Sequence, residues 1–492
     1  MGRDPVPGGT AGLHVENMPI RGIFRRSELF SEQKIRSESA LPDTMFTRDF
    51  PMPLLLGFML FLGTSDLDGI VFFETGDPAH NREIAPSGQL SGSGWQYQGE
   101  YKEFLGTVIS PRHFITAIHI GKGPTTFVQK SWFTGAAADR VYFINPNFNN
   151  GNGSRDIPGT DLRIFEIHGE FPEHAELYTT PDEAGRQVVM IGRGRPRGEE
   201  VSSSGQTRGW LWGPGDNRVR WGTNTVDGFS SAGIRGPMLV TDFDDIAGSD
   251  ECQGADGDSG GAVFIRKGNS WKLAGILFAA DSVYDTNTIC GDGSDFRASM
   301  FNGAGFYSGG DNAACDNWTL ISAANDLDES RTYASRISVN AQEINAVIQP
   351  AIDDKLKTPR QRYDEWLAGF GILSGAEPGD DADSDGWPNL MEYLADLDPS
   401  VPEELPLPFS LQGEQEKICF RLRIRMDGQS RGLSWEIEGS NDLAGGTYET
   451  VTGLNLSGVT RSLTEGVETV EYEIDRPSNS RMFYRLRVTL AQ

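Results

Sequence analysis

Cysteine is scarce in this sequence: four residues, at 252, 290, 315 and 419, in a chain of 492. Four are too few for a disulfide scaffold, and no Cys-x-x-Cys pair is present to hold zinc. If the chain is exported they can form one or two bridges, and the spacing does not choose among the pairings. Basic charge is short as well. Lys and Arg total 43 against 70 Asp and Glu, for a formal charge of −27. The basic footprint that a nucleic-acid partner requires is therefore missing. An acidic, soluble surface is the plain reading, with cation binding at carboxylate clusters beside it. Long apolar runs are also missing. The one continuous run, 53–63 (PLLLGFMLFLG), is too short to cross a bilayer comfortably.

That run has the length of a signal-peptide apolar core. Arg48 precedes it, Asp66 and Asp68 follow it, and the small residues Gly63 and Ser65 suit cleavage after Ser65. The expectation is a signal peptide over 45–65, with a start at Met45 or Met52. Residues 1–44 are then an extension that is not part of the real protein. The mature chain is expected to be secreted or at the cell surface, with no transmembrane segment.

The length calls for two or three domains, and 37% apolar residues with 10% aromatics suffice for packed cores. Residues 67–350 show little helical periodicity. Short β-rich runs at 104–109, 141–144, 188–191, 262–265 and 273–278 recur between turns, as in a β-barrel or sandwich. A helix over 339–348 is expected to stop before Pro350. In 351–400, Tyr363, Trp366, Leu367 and Phe370 mark one helical face, and Leu390, Met391, Tyr393 and Leu394 a second short helix. Pro399, Pro402, Pro406 and Pro408 predict a stiff linker. Over 401–492 the period changes to two. Ile418, Phe420, Leu422 and Ile424 alternate with Cys419, Arg421 and Arg423, and three later runs repeat the pattern. A small antiparallel β-domain of sandwich-like form is predicted there. Trp210, Trp212 and Trp221 read as core and turn packing.

Acyl transfer by serine needs an activated hydroxyl, a base, a carboxylate that orients the base, and amide donors for the oxyanion. Candidates occur in one chain order. Residues 105–119 read LGTVISPRHFITAIH, 160–165 read TDLRIF, and 257–264 read GDSGGAVF, followed by WKLAGILF at 271–278. Spacings of 42 residues from His119 to Asp161 and 98 from Asp161 to Ser259 accompany them. These boxes resemble the chymotrypsin/trypsin-like (S1) serine peptidase family in its bacterial secreted type. The resemblance covers about 67–350, and implies a double β-barrel with the site in the cleft between barrels. It implies Ser259 as nucleophile, His119 as general base and acid, and Asp161 as orienter. Gly257 and Ser259 would supply the oxyanion amides. Asp156 is a rival to Asp161 but lacks the following apolar strand, and Asp258 reads as a structural acid. His80, His113, His168 and His174 read as surface or structural.

The sequence departs from the family in places. Ile120 stands where many members place a cysteine, and Cys252 precedes Ser259 by seven residues, implying an insertion at 253–255. Asp250 occupies the place of the acid at the base of a trypsin-like specificity pocket, which would favour Arg or Lys at the cleaved bond. The activity implied is a serine endopeptidase acting on protein or peptide substrates. A trypsin-like surface or adhesion protein without turnover is the alternative.

One acidic loop has its own chemistry. Asp381-x-Asp383-x-Asp385-Gly386, with Glu392 six residues beyond the glycine, matches an EF-hand calcium loop. Side chains of Asp381, Asp383, Asp385 and Asn389, the carbonyl of Trp387 and bidentate Glu392 would bind a structural calcium ion. The loop resembles single EF-hand-like modules that precede terminal β-domains in secreted bacterial proteins. The expected architecture is mainly β: the double barrel, a helix-loop-helix calcium module, and a C-terminal β-domain. That last part is a candidate for cell-surface or carbohydrate attachment, in a protein expected to be monomeric.

Overall fold

The computed structural model describes residues 70–491, apart from 232, 246–247, 290, 310–316, 323–328, 373–374, 403–408, 414–415, 442–446 and 476–481. The expected signal peptide and extension lie outside the described residues, as do Cys290, Cys315, Pro406 and Pro408.

The first barrel closes on itself. Its strands run His113–Ala117, Phe104–Val108, Gln98–Tyr101, Thr126–Gln129, Arg140–Ile144 and Leu162–His168, and the last pairs back to the first. Closure leaves the inward row to fill the interior, and aromatic rings fill it. Phe114 stacks on Phe127 at 4.2 Å and on Phe165 at 5.1 Å between ring centroids. Gly99 makes the space: a Cβ there would lie 2.3 Å from the Phe127 ring.

The second body is an eight-stranded sheet that contains the runs expected at 188–191, 262–265 and 273–278. Its strands include Gln187–Gly192, Ala262–Lys267, Ser270–Ala280 and Arg331–Arg336. Among the described residues no ladder joins Arg220–Thr225 to Pro237–Asp242. Instead the Asn224 side chain bridges the gap, with Nδ2 donating to the carbonyls of Asp242 (2.7 Å) and Cys252 (2.9 Å).

A third, six-stranded sheet was not expected. It combines Arg197–Ser203, Gln206–Trp212 and Phe296–Met300 with three strands of two or three residues. Val201, Tyr284, Ala298, Met300, Phe306 and Ile321 form its core. Trp210 and Trp212 lie on its second strand, and the Arg197 guanidinium covers the Trp210 ring at 3.2 Å from its centroid.

The helix expected to stop before Pro350 does not stop there. It spans Ala341–Lys355 with Pro350 inside it. An interior proline removes one helical hydrogen bond, but tertiary contacts on both sides of it hold this helix together. Ile344, Ile348 and Ala351 are buried, and Asp354 near the end accepts from Arg112 Nη2 at 2.5 Å.

Helices Pro359–Gly369 and Asn389–Ala395 follow, with a capping box at Thr358 and Gln361 opening the first. The C-terminal strands form a four-stranded and a three-stranded sheet. Ile418, Phe420, Leu422 and Ile424 are buried, as their alternation requires. Tyr363, Leu367, Tyr393 and Leu394 of the helices share one core with Phe420, Leu422, Ile437, Val470 and Leu486 of the strands.

Candidate active site

Three backbone segments converge where the first barrel meets the second body. The strand His113–Ala117 ends just before His119, and the Ile118 N–H donates to the Asp161 carbonyl at 2.8 Å. Asp161 immediately precedes the strand Leu162–His168. Ser259 lies in the loop ahead of Ala262–Lys267, and that loop approaches the first barrel very closely. A Cβ on Gly260 (φ +79°) would lie 2.3 Å from Thr116 Oγ1 and 2.5 Å from the Leu105 carbonyl oxygen. Glycine is required at that position by both contact and conformation.

The three side chains form one hydrogen-bonded line. His119 Nε2 is 2.7 Å from Ser259 Oγ, and His119 Nδ1 is 2.5 Å from Asp161 Oδ2. The other carboxylate oxygen, Oδ1, accepts from the His119 backbone N–H at 3.2 Å and from Arg235 Nη1 at 2.9 Å. Asp161 is fully buried, while the His119 side chain is 27% exposed, so the imidazole faces solvent and the carboxylate does not. Phe278 meets the imidazole edge-on at 5.4 Å. Geometry of this kind lets Nε2 take the serine proton while Nδ1 remains tied to the carboxylate. Gly257 has φ +97°, and among the described residues the N–H groups of Gly257 and Ser259 have no acceptor. Two unsatisfied amides beside a nucleophile are what an oxyanion needs.

Asp258 is turned away from the cleft and buried. Its carboxylate accepts from the N–H groups of Gly194 (2.6 Å), Ala255 (2.7 Å) and Ile70 (3.3 Å). Burial pushes its carboxyl up to about 6 despite these donors. Its role is to fix the serine loop from beneath. Residues 71–72 pair with Cys252–Gln253, so the N-terminal strand braces the same loop. The Cys252 thiol is free and buried, which pushes its titration well up.

The remaining candidates take other places. Asp156 forms a two-pronged pair with Arg163 (2.6 and 2.8 Å). Asp250 Oδ1 accepts from Asn81 Nδ2 at 2.8 Å and lies 2.9 Å from His80 Nε2. It lines a cavity of about 560 Å³ with Gln89, Arg186, Arg266 and Trp271, none of them a triad residue. Among the described residues no contact joins Asp250 to the triad. His113 is buried with Nδ1 2.7 Å from Ser110 Oγ, a structural contact. Arg235 carried no sequence signal, because its partner lies 74 residues away in a different half of the domain.

In the acidic loop, Asp381, Asp383 and Asp385 each present an oxygen within 4.8 Å of the others. Backbone donors hold them there: Ser384 and Gly386 N–H to Asp381, and Trp387 N–H to Asp385. Asp383 Oδ2 is buried without a hydrogen-bond partner, and burial together with its acidic neighbours raises the Asp383 carboxyl. Gly386 makes the turn at φ +99°, and Asn389 and Glu392 are fully buried at the start of the next helix. Asn389 Oδ1 accepts from the Ala382 N–H at 3.2 Å. Hard oxygen donors, one of them buried and unsatisfied, suit a calcium ion.

Residues 87–291 match the family model described as Trypsin. The match supports a chymotrypsin/trypsin-like (S1) assignment for that span, a family whose members are generally serine endopeptidases. No curated protein matches the chain.

Proposed function

We propose, from the premise that residues 87–291 form a trypsin-like domain, that the chain is a secreted serine endopeptidase working through an acyl-enzyme. The observation that carries this reading is the continuous hydrogen-bonded line from Asp161 through His119 to Ser259. Ser259 Oγ attacks the scissile carbonyl carbon while His119 Nε2 takes its proton. Asp161 holds the imidazole and faces the positive charge that forms on it. The carbonyl oxygen, now an anion, is met by the N–H groups of Gly257 and Ser259. His119 then gives its proton to the leaving amine, and water cleaves the ester by the same route.

Outside the peptidase domain, Asp381, Asp383, Asp385, Asn389, Glu392 and the Trp387 carbonyl would hold a structural calcium ion, which would supply charge compensation within the loop. The C-terminal sandwich attaches or orients the enzyme at its place of work.

A fluorophosphonate probe tests the enzymatic reading. Wild type is expected to be labelled, and Ser259→Ala and His119→Ala are expected not to be. An unlabelled wild type, or equal labelling of Ser259→Ala, would favour a binding protein without turnover instead.

A further inference from the structure

Burying an ionised carboxylate without a compensating charge is costly, and Asp161 has no exposed surface. A neutral imidazole waiting to act as base does not provide that charge. Among the described residues, Arg235 is the one fixed cation paired with Asp161, through Nη1 at 2.9 Å from Oδ1. It arrives on a short turn, Gly233–Arg235, between the strands Gly228–Ser231 and Pro237–Asp242 of the second body. Gly236 follows with φ +79°, and a Cβ there would lie 2.3 Å from the Gly159 carbonyl oxygen. The arginine turn is thus pressed against the turn that carries Asp161, at a separation only glycine allows.

We infer that Arg235 is a positioning residue of the triad: it fixes the Asp161 carboxylate so that Oδ2 is kept for His119 Nδ1. The inference rests on the peptidase reading above. Oδ1 is occupied by Arg235 and the His119 backbone N–H, which leaves the carboxylate one orientation toward the ring. Arg163, two residues along, is turned to Asp156. The imidazole itself faces Asp161, Ser259 and the edge of Phe278. Removing the cation has two consequences of the same sign. Asp161 takes up a proton more readily, and the imidazolium loses a like charge that repels it. Each raises the pH at which neutral His119 stands beside an ionised Asp161.

The test compares the full-length chain with Arg235→Gln and Arg235→Lys, using a peptide ester substrate across roughly pH 5 to 9, with thermal melts as a folding check. Arg235→Gln is expected to lower kcat by about ten- to a hundredfold with little change in KM, and to move the acid limb upward by about one pH unit. Arg235→Lys, which keeps the charge, is expected to recover most of both effects. A folded Arg235→Gln with the wild-type kcat and acid limb overturns the inference. If the wild type proves not to turn over, the downfield proton on His119 Nδ1 is followed by NMR. An upward shift of its titration in Arg235→Gln upholds the arginine's role, and an unmoved titration refutes it.

Discussion

Ser259 is presented by a loop whose small residues are needed one by one. At Gly260 an added methyl would meet Thr116 Oγ1 and the Leu105 carbonyl oxygen while φ stays positive. Neither neighbour is the end of a flexible side chain. Gly260→Ala should therefore cost about 2 kcal/mol or more in stability and reduce probe labelling of Ser259. Denaturant melts and labelling rates check this together, and an unchanged midpoint would contradict the packing. A second residue sets a pH dependence. Glu251 is buried, and burial, reinforced by Asp244, Asp227 and Glu329, pushes its carboxyl up to about 9 from an ordinary 4.5. Between those values the folded chain keeps a proton that the unfolded chain has released. Stability from this site accordingly falls as pH rises through that window. Asn224 Nδ2 donates to Glu251 Oε1 at 2.8 Å, an interaction that a glutamine carbonyl retains. Glu251→Gln should melt increasingly above wild type as pH rises from about 6 to about 9, with little difference near pH 4. Parallel melting curves would rule out the buried proton.

Elements were legible where a pattern lies within one segment. The alternation of Ile418, Phe420, Leu422 and Ile424 revealed a strand because each second side chain enters one core. The boxes around His119, Asp161 and Ser259 were legible because each attaches its residue to the end of an apolar strand. What depends on distant partners was not. The third sheet contains strands of two or three residues, too short to show a period, and they form only by pairing across the fold. Arg235 likewise has meaning only once its turn meets Asp161. The helix at 341–355 runs through a proline that would end it in isolation, because its surroundings hold it on both sides. There the buried Ile348 and Ala351 flank Pro350, and the ion pairs of Asp354 and Lys355 fasten the last turn. Pro350→Ala should restore the missing hydrogen bond and raise stability by about 1 kcal/mol, after allowing for greater freedom of the unfolded chain. A denaturant titration that shows a loss instead would mean the ring itself is packed.

Among the described residues, Arg362 ties the first barrel, the long helix and the C-terminal strands together. Arg362, 4% exposed, pairs with Glu170 of the first barrel at 3.2 Å and donates to the Asp354 carbonyl at 3.0 Å. Its Nη1 also donates to the Ser430 carbonyl in the C-terminal sandwich at 2.8 Å. Nearby, His168 Nε2 is 2.8 Å from the Leu463 carbonyl oxygen, and Arg461 covers the Phe143 ring. Arg362→Ala leaves Glu170 with Lys355 but strips the buried Asp354 and Ser430 carbonyls of their donor, so it should cost on the order of 2 kcal/mol. Calorimetry should then show separate transitions for the peptidase domain and the C-terminal part, in place of coupled ones. A calcium ion bound at the acidic loop would act on the same unit. Tyr393 and Leu394, on the helix that begins with Glu392's turn, belong to the core of the sandwich. A calcium ion at Asp381, Asp383 and Asp385 would therefore stabilise the helices and the strands as one body, by roughly 2.7 kcal/mol at a hundredfold excess over its Kd. EDTA should lower the melting of the whole region from Pro359 to Leu490, and leave fluorophosphonate labelling of Ser259 intact. Asp383→Asn should remove the response to EDTA. A C-terminal transition indifferent to EDTA in wild type would show that the three aspartates hold no ion, and that backbone donors alone balance their charge.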